Sequence, residues 1–279
     1  MRPLRTARTE PAWVRRLLVA AALAVVGVLL VVPLVLVFVE ALKNGFPAYL
    51  AALAEPDARA ALRLTAITVG IVVPVNLVAG VAAGWALGKF DFPGRSVVVS
   101  LFDLPFAVSP VVAGMLFVLL FGRTGLLRGL VEALGLEVLF APPAIVLATL
   151  FVTFPFIARE LIPTMQSLGK DEEEAAHVLG AGFFQVLRRV SLPNALWGLL
   201  YGVLLCAARA AGEFGAVSVV SGHIRGRTNT LPLEVEILYN EYRFSAAFAV
   251  ASLLTAFAVV TLVLKTVLDA RARAERRAT

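Results

Sequence analysis

The sequence predicts an all-α membrane protein, a polytopic bundle of about six transmembrane helices. Composition is the first observation, since 60% of the 279 residues are hydrophobic, 16% are charged and the mean hydropathy is +0.89, far from the composition of soluble domains. The second observation is that the apolar residues form long continuous runs. A β-barrel would show short segments of alternating polarity instead, so helices are expected.

Six apolar runs justify the six predicted helices, because each has the length of roughly 20 residues, or more, that a helix needs to cross a bilayer. In order, they cover residues 17–39, 62–87, 97–121, 144–162, 195–220 and 246–268. The first run is too long for a signal-peptide core and lacks a cleavage pattern, so we expect a retained helix. Prolines near 105–110, 142–143, 155 and 163 are expected to kink or bound helices.

Basic residues predict the orientation. Those in the two tails and in two alternate connections fall on one side of a six-helix bundle, which the positive-inside rule identifies as the cytoplasm. We therefore predict a basic cytoplasmic tail at residues 1–16, a transmembrane domain at 17–268 and a second cytoplasmic tail at 269–279, with both termini and the segment 170–193 inside. The basic residues are Arg2, Arg5, Arg8, Arg15, Arg16, Lys89, Arg95, Lys170, Arg188, Arg189, Arg271, Arg273, Arg276 and Arg277.

Charge and cysteine content exclude several classes of function. The net charge of +6 does not indicate nucleic acid, because topology and anionic membrane lipids account for the basic tails and loops. Cys206 is the single cysteine, so no intrachain disulfide can form, and with only His177 and His223 besides we expect no metal site. The chain holds no phosphate-binding glycine loop and no nucleophile elbow. We therefore expect no catalytic residue and no cofactor.

The charged segment 171–193 lies between the fourth and fifth runs. Asp171 is expected to be the N-cap of a short helix, with Glu174 completing a variant of the capping box, and Gly180 is expected to end this helix. A second helix over about 183–190 carries an apolar stripe of Phe183, Phe184, Leu187 and Val190. Taken alone, these residues support a docking surface and a simple connecting loop equally well.

The spacing of this segment resembles the EAA motif of the membrane subunits of prokaryotic ABC importers. It reads Glu-Ala-Ala at 174–176, Gly180, then Val190 in place of the commoner Ile, and Leu-Pro at 192–193. In that family the segment forms coupling helices that fit a groove on a cytoplasmic ATPase, and the fold is the type I importer permease. The resemblance thus assigns ATPase coupling to Glu174, Ala175, Ala176, Gly180, Leu192 and Pro193.

Residues after the fifth run narrow the resemblance. Gly-Glu-Phe-Gly-Ala at 212–216 looks like a stretch shared by sulfate and molybdate permeases, while residues 221–233 and 237–242 resemble CysW-type sulfate/thiosulfate permeases. The resemblance covers the second to the sixth run. It implies a bacterial inner-membrane permease that passes sulfate or thiosulfate inward. It also implies three kinds of partner: a second related permease in a heterodimer, cytoplasmic ABC ATPase subunits and an extracytoplasmic sulfate/thiosulfate-binding protein.

Two sets of residues are candidates for contact with the anion or its carrier. Arg209 and Glu213 are ionisable groups in an apolar run, so they form either a structural pair or part of the translocation pathway. In the outer connection, Arg225, Arg227 and Thr228 offer donors that suit an oxyanion. An ordinary extracellular turn, or a dock for a binding protein, explains that connection better.

Two rival functions remain open on the sequence. A molybdate or tungstate permease would form a homodimer, although such permeases carry a shorter glycine-containing pattern in place of residues 221–233. An ion-coupled secondary transporter would act without an ATPase, with Arg209 and Glu213 as its ion site.

Overall fold

The computed structural model describes residues 11–278, with side chains described as far as residue 271. This part of the chain contains helices and connecting turns and no strand, so the predicted all-α class is confirmed. Three basic residues of the predicted N-terminal tail, Arg2, Arg5 and Arg8, lie outside the described residues. The side chains of Arg273, Arg276 and Arg277 in the predicted C-terminal tail lie outside them too.

Fourteen helices follow one another within residues 11–278. Two of them contain a π-helical turn, at Gly27–Val31 and Leu187–Ser191. In chain order they are α1 Ala12–Leu42, α2 Phe46–Ala54, α3 Pro56–Lys89, α4 Arg95–Phe102, α5 Leu104–Ala107, α6 Pro110–Phe121, α7 Arg128–Ala133, α8 Pro142–Ser167, α9 Asp171–Val178, α10 Phe183–Asn194, α11 Leu196–Ala211, α12 Gly215–Val220, α13 Leu231–Asn240 and α14 Phe244–Ala278.

Four of the described helices, α1, α3, α8 and α14, are long and apolar enough to cross a membrane. They correspond to the first, second, fourth and sixth apolar runs. The third run is not one helix but the series α4, α5 and α6, because Pro105 and Pro110 interrupt it. Ser109 is extended (φ −58°, ψ 135°), as expected for a residue that precedes a proline.

The fifth run is broken as well. Its helix α11 ends at Ala211, and α12 begins only at Gly215. The axis also bends by 77° between α10 and α11, where the chain enters the bundle. The predicted continuous helix over 195–220 is therefore replaced by two helices joined at residues 212–214.

Close packing of α8 against α3 forms the centre of the bundle. Gly80, Gly84 and Gly88 lie one turn apart on α3, and they let the backbones approach as small residues do in membrane helices. A Cβ added at Gly84 would lie 2.6 Å from the Cβ of Leu161 on α8. The other face of α8 packs on α11, where Cys206 is buried. Motion of α8 relative to α3 is therefore sterically restricted.

Candidate functional site

The coupling segment, defined here as residues 169–194, connects α8 to α11. Its first helix, α9, begins at Asp171 itself, and Lys170 holds the N-cap position without a side-chain hydrogen bond. The predicted capping box of Asp171 and Glu174 is therefore wrong. Gly169 turns the chain with φ +68°, which sets Asp171 inside the first turn. There the acidic residues favour the positive end of the helix dipole.

A buried lysine fastens this segment to the bundle. Lys89, the last residue of α3, is 6% exposed, and its ammonium lies 3.1 Å from a carboxylate oxygen of Glu173. It also donates a hydrogen bond to the carbonyl of Gly169. The hydroxyl of Ser191 on α10 donates to the same Glu173 oxygen at 2.6 Å. Glu173 therefore joins α9 to both α3 and α10.

A second contact ties α9 and α10 together. The amide of Asn194 on α10 donates a hydrogen bond to the Glu172 carboxylate. The sequence did not single out Glu172, Glu173 or Lys89, because the acidic cluster alone gives no reason to separate one carboxylate from the next. Only the helical register that begins at Asp171 distinguishes them.

The opposite side of the coupling segment is open. Val178 is 87% exposed and Leu179 is 88% exposed, and Phe184 on α10 is 79% exposed. The Glu174 carboxylate is also exposed, and within the described residues it forms no hydrogen bond or ion pair. Gly180 ends α9 with φ +85°, and a Cβ there would meet nothing within 4 Å. This face has no partner in the bundle, which fits a surface that contacts another protein.

The predicted second helix of this segment divides its apolar residues between two faces. The ring of Phe183 packs edge-on against Trp85 of α3, with ring centroids 4.2 Å apart. Leu187 and Leu192 pack into the core, whereas Phe184 points away from it and Pro193 is exposed. The predicted stripe of Phe183, Phe184, Leu187 and Val190 is thus not one continuous contact face.

Arg209 and Glu213 are brought together by the break in the fifth span. An Nη of Arg209 lies 2.6 Å from a carboxylate oxygen of Glu213, whose side chain is 1% exposed, while that of Arg209 is 32% exposed. The other Glu213 oxygen accepts a hydrogen bond from the backbone N–H of Ala216 at 2.8 Å, in the first turn of α12. Glu213 thus caps α12 and holds Arg209, which leaves part of the guanidinium accessible.

The candidate residues of the connection between α12 and α13 have partners within the chain. Arg225 donates to Glu241, which raises the pKa of the Arg225 guanidinium above its usual value, and Arg227 lies 3.3 Å from Glu137. Thr228 is fully buried, and its hydroxyl accepts a hydrogen bond from the N–H of Ile224. The two arginines are therefore on the surface, whereas Thr228 is inside the turn and stabilises it.

Comparison with known proteins adds a family match. The family model described as "Binding-protein-dependent transport system inner membrane component" matches residues 80–274, which include the coupling segment. The chain is 48% identical over 259 residues to the "Sulfate transport system permease protein CysW" of Escherichia coli (strain K12), covering 93% of this chain and 89% of that protein.

A more distant relative and a solved structure also match the chain. The "Sulfate transport system permease protein CysT" of Salmonella typhimurium is 32% identical over 85% of this chain and 86% of its own length. A chain in the crystal structure of a bacterial alginate ABC transporter, solved with its alginate-bound periplasmic protein, superposes with a TM-score of 0.77. It covers 93% of this chain and 95% of that chain at 15% identity, so this likeness concerns the fold alone.

Proposed function

The chain belongs to the binding-protein-dependent transport system inner membrane components, and on that premise we propose that it is the CysW-type permease subunit of an ATP-driven sulfate importer. The observation that carries the proposal is the 48% identity with a permease named for sulfate transport, over 93% of the chain. The family and the apolar helices make it a multi-pass protein of the inner membrane. Thiosulfate is the second substrate that we propose.

A second permease and two other kinds of subunit complete the proposed importer. The CysW and CysT relatives indicate an importer with two related permeases, and the proposal pairs this chain with a CysT-like partner as a heterodimer. ATP hydrolysis then takes place in separate cytoplasmic ATPase subunits. An extracytoplasmic sulfate/thiosulfate-binding protein delivers the anion. Both termini are proposed to lie in the cytoplasm, on the same side as the coupling segment.

Coupling to the ATPase is proposed for the open face of the coupling segment. The free carboxylate of Glu174 and the exposed apolar side chains of Val178 and Leu179 supply a charged and an apolar contact on the same surface. Gly180 lets the chain turn sharply beside them. The residues proposed for coupling remain Glu174, Ala175, Ala176, Gly180, Leu192 and Pro193. Of these, the half-buried Leu192 acts by seating the segment in the core.

Arg209 and Glu213 are proposed to line the translocation pathway. A buried carboxylate that holds an arginine reduces the net attraction for a dianion, so the anion can bind and still leave. Arg225 and Arg227 are proposed to contact the binding protein at the outer surface. Thr228 enters that proposal only as the residue that shapes the turn, because its hydroxyl is buried.

Uptake measurements test the proposal. Vesicles that hold the full complex should take up radiolabelled sulfate when ATP is supplied, and thiosulfate should compete with the label. Preferential competition by molybdate would favour the rival oxyanion permease. Undiminished uptake after the nucleotide site of the ATPase is disabled would favour a secondary transporter and would refute ATP-driven import.

A further inference from the structure

A groove of about 600 Å³ with a mixed apolar and polar lining lies between α4 and the second half of α8, and Arg209 does not line it. Its polar lining residues follow one another along these two helices. The residues that carry this lining are Arg95, Ser96, Ser100, Asp103, Arg159 and Gln166.

Arg159 is the charged side chain in this groove whose N–H groups are free to donate hydrogen bonds to a ligand. Its Nη1 lies 3.9 Å from an oxygen of Asp103, which is beyond hydrogen-bond distance, and both side chains are more than half exposed. The guanidinium also lies over the ring of Phe106, 4.9 Å from its centroid. Arg95 differs, because it already donates two hydrogen bonds to the carbonyl of Leu87. Arg159 is thus held in place by the ring while its N–H groups remain available.

The depth of Arg159 makes its exposure significant. It precedes the cytoplasmic end of α8 at Ser167 by two turns, and Asp103 follows the start of α4 at Arg95 by a similar length. At 1.5 Å per residue, both lie about 12 Å inward from the cytoplasmic ends of their helices. A half-exposed arginine at that depth is costly against lipid, so it faces a watery passage or another polypeptide.

We propose that this groove is a second oxyanion-binding position on the cytoplasmic half of the translocation passage. The inference rests on the proposed function and adds a site to it. Its ligand is a tetrahedral dianion such as sulfate, held by the free N–H groups of the Arg159 guanidinium. Arg95 is paired with Asp91 at 3.7 Å, so the charge in the groove that can attract an anion is that of Arg159. Asp103 offsets Arg159 and thereby weakens retention, so the anion is released to the cytoplasm.

Cysteine reporters test the site directly. Cys206 is fully buried, so cysteines introduced separately by Ser96→Cys and Ser100→Cys are the accessible thiols of the described part of the chain. In the assembled complex, both should react with a sulfonate-bearing thiol reagent. Sulfate at about ten times its half-saturating concentration should slow that reaction about tenfold, whereas chloride at equal ionic strength should not.

Arg159→Gln, combined with each reporter, should abolish the protection by sulfate. Arg128→Gln is the matched control, because Arg128 forms a comparably exposed ion pair with Glu132 in α7, and it should leave protection unchanged. Labelling that sulfate does not slow would overturn the site. So would a failure of both thiols to react, which would mean that the second permease covers the groove. Uptake measured on the same preparation separates the two ideas, since intact sulfate uptake without protection refutes the second site and leaves the proposed function standing.

Discussion

Replacing Lys89 with methionine tests whether the buried lysine transmits force between the coupling segment and the bundle. The change keeps the length of the side chain but removes the ammonium from Glu173, whose side chain is 15% exposed, and from the carbonyl of Gly169. Only the Ser191 hydroxyl then remains on that carboxylate. Breaking one partner of a buried pair costs about 3 kcal/mol or more, which lowers the population of the docked segment about a hundredfold relative to the undocked one.

The assay is the ratio of sulfate transported to ATP hydrolysed in proteoliposomes that contain the full complex. Lys89→Met should lower this ratio while hydrolysis continues, because the exposed face that is proposed to contact the ATPase is unchanged. Hydrogen exchange of the backbone amides in α9 should accelerate in parallel. Lys43→Met is the control, since Lys43 is 66% exposed in its pair with Glu40 and such pairs contribute little.

A double variant separates the charge from the packing. Combining Lys89→Met with Glu173→Gln leaves no uncompensated charge, so part of the coupling should return. The reasoning is refuted if Lys89→Met keeps the wild-type ratio and the wild-type exchange rates.

Three further variants test other parts of the structure. Gly180→Val forces a branched side chain to φ +85°, at a cost of about 1–2 kcal/mol. The variant should still insert, but its sulfate uptake should uncouple from ATP hydrolysis. Gly182→Val is the control, because Gly182 has a negative φ, and its uptake should stay coupled to hydrolysis. Gly84→Leu should destabilise the detergent-solubilised protein by about 1–3 kcal/mol in thermal unfolding, because its Cβ would lie 2.6 Å from a side chain of α8. Gly70→Leu should not destabilise it, because Gly70 has open space around it. Arg209→Ala should reduce sulfate uptake more than co-purification of the subunits, and equal loss of both would favour a purely structural pair.

The fold class could be predicted from the sequence because hydrophobic run length responds directly to bilayer thickness. The broken spans could not, since hydropathy reports burial and not backbone continuity. Pro110 was expected to kink or bound a helix, and it does begin α6. The break at residues 212–214 depends instead on Glu213 capping α12 and on Gly215 approaching Pro110, where a Cβ would lie 2.9 Å away. The first contact is local but leaves no mark on hydropathy, and the second requires the tertiary structure.

The coupling segment shows the same division between local and long-range information. Its glycine break and its acidic helix start follow from residues close together in the chain, and the structure places α9 where the pattern indicated. The Lys89–Glu173 contact does not follow from nearby residues, because Lys89 ends α3 whereas Glu173 lies in α9, and the two meet only after α3 packs on α8. Arg159 was overlooked for a similar reason. A single arginine near the end of an apolar run looks like an interfacial residue until the groove beside it is seen.

These contacts link the proposed ATPase surface to both intramembrane arginines. The coupling segment continues directly from α8, which carries Arg159, and leads into α11, which carries Arg209. Lys89, the buried last residue of α3, holds the segment to that helix, against which α8 is closely packed through glycines. A displacement of α9 by a partner must therefore either break the Lys89–Glu173 pair or move α3 and α8 together. Because the first alternative costs about 3 kcal/mol, small displacements are expected to move the helices, and with them the side chains proposed to hold the anion.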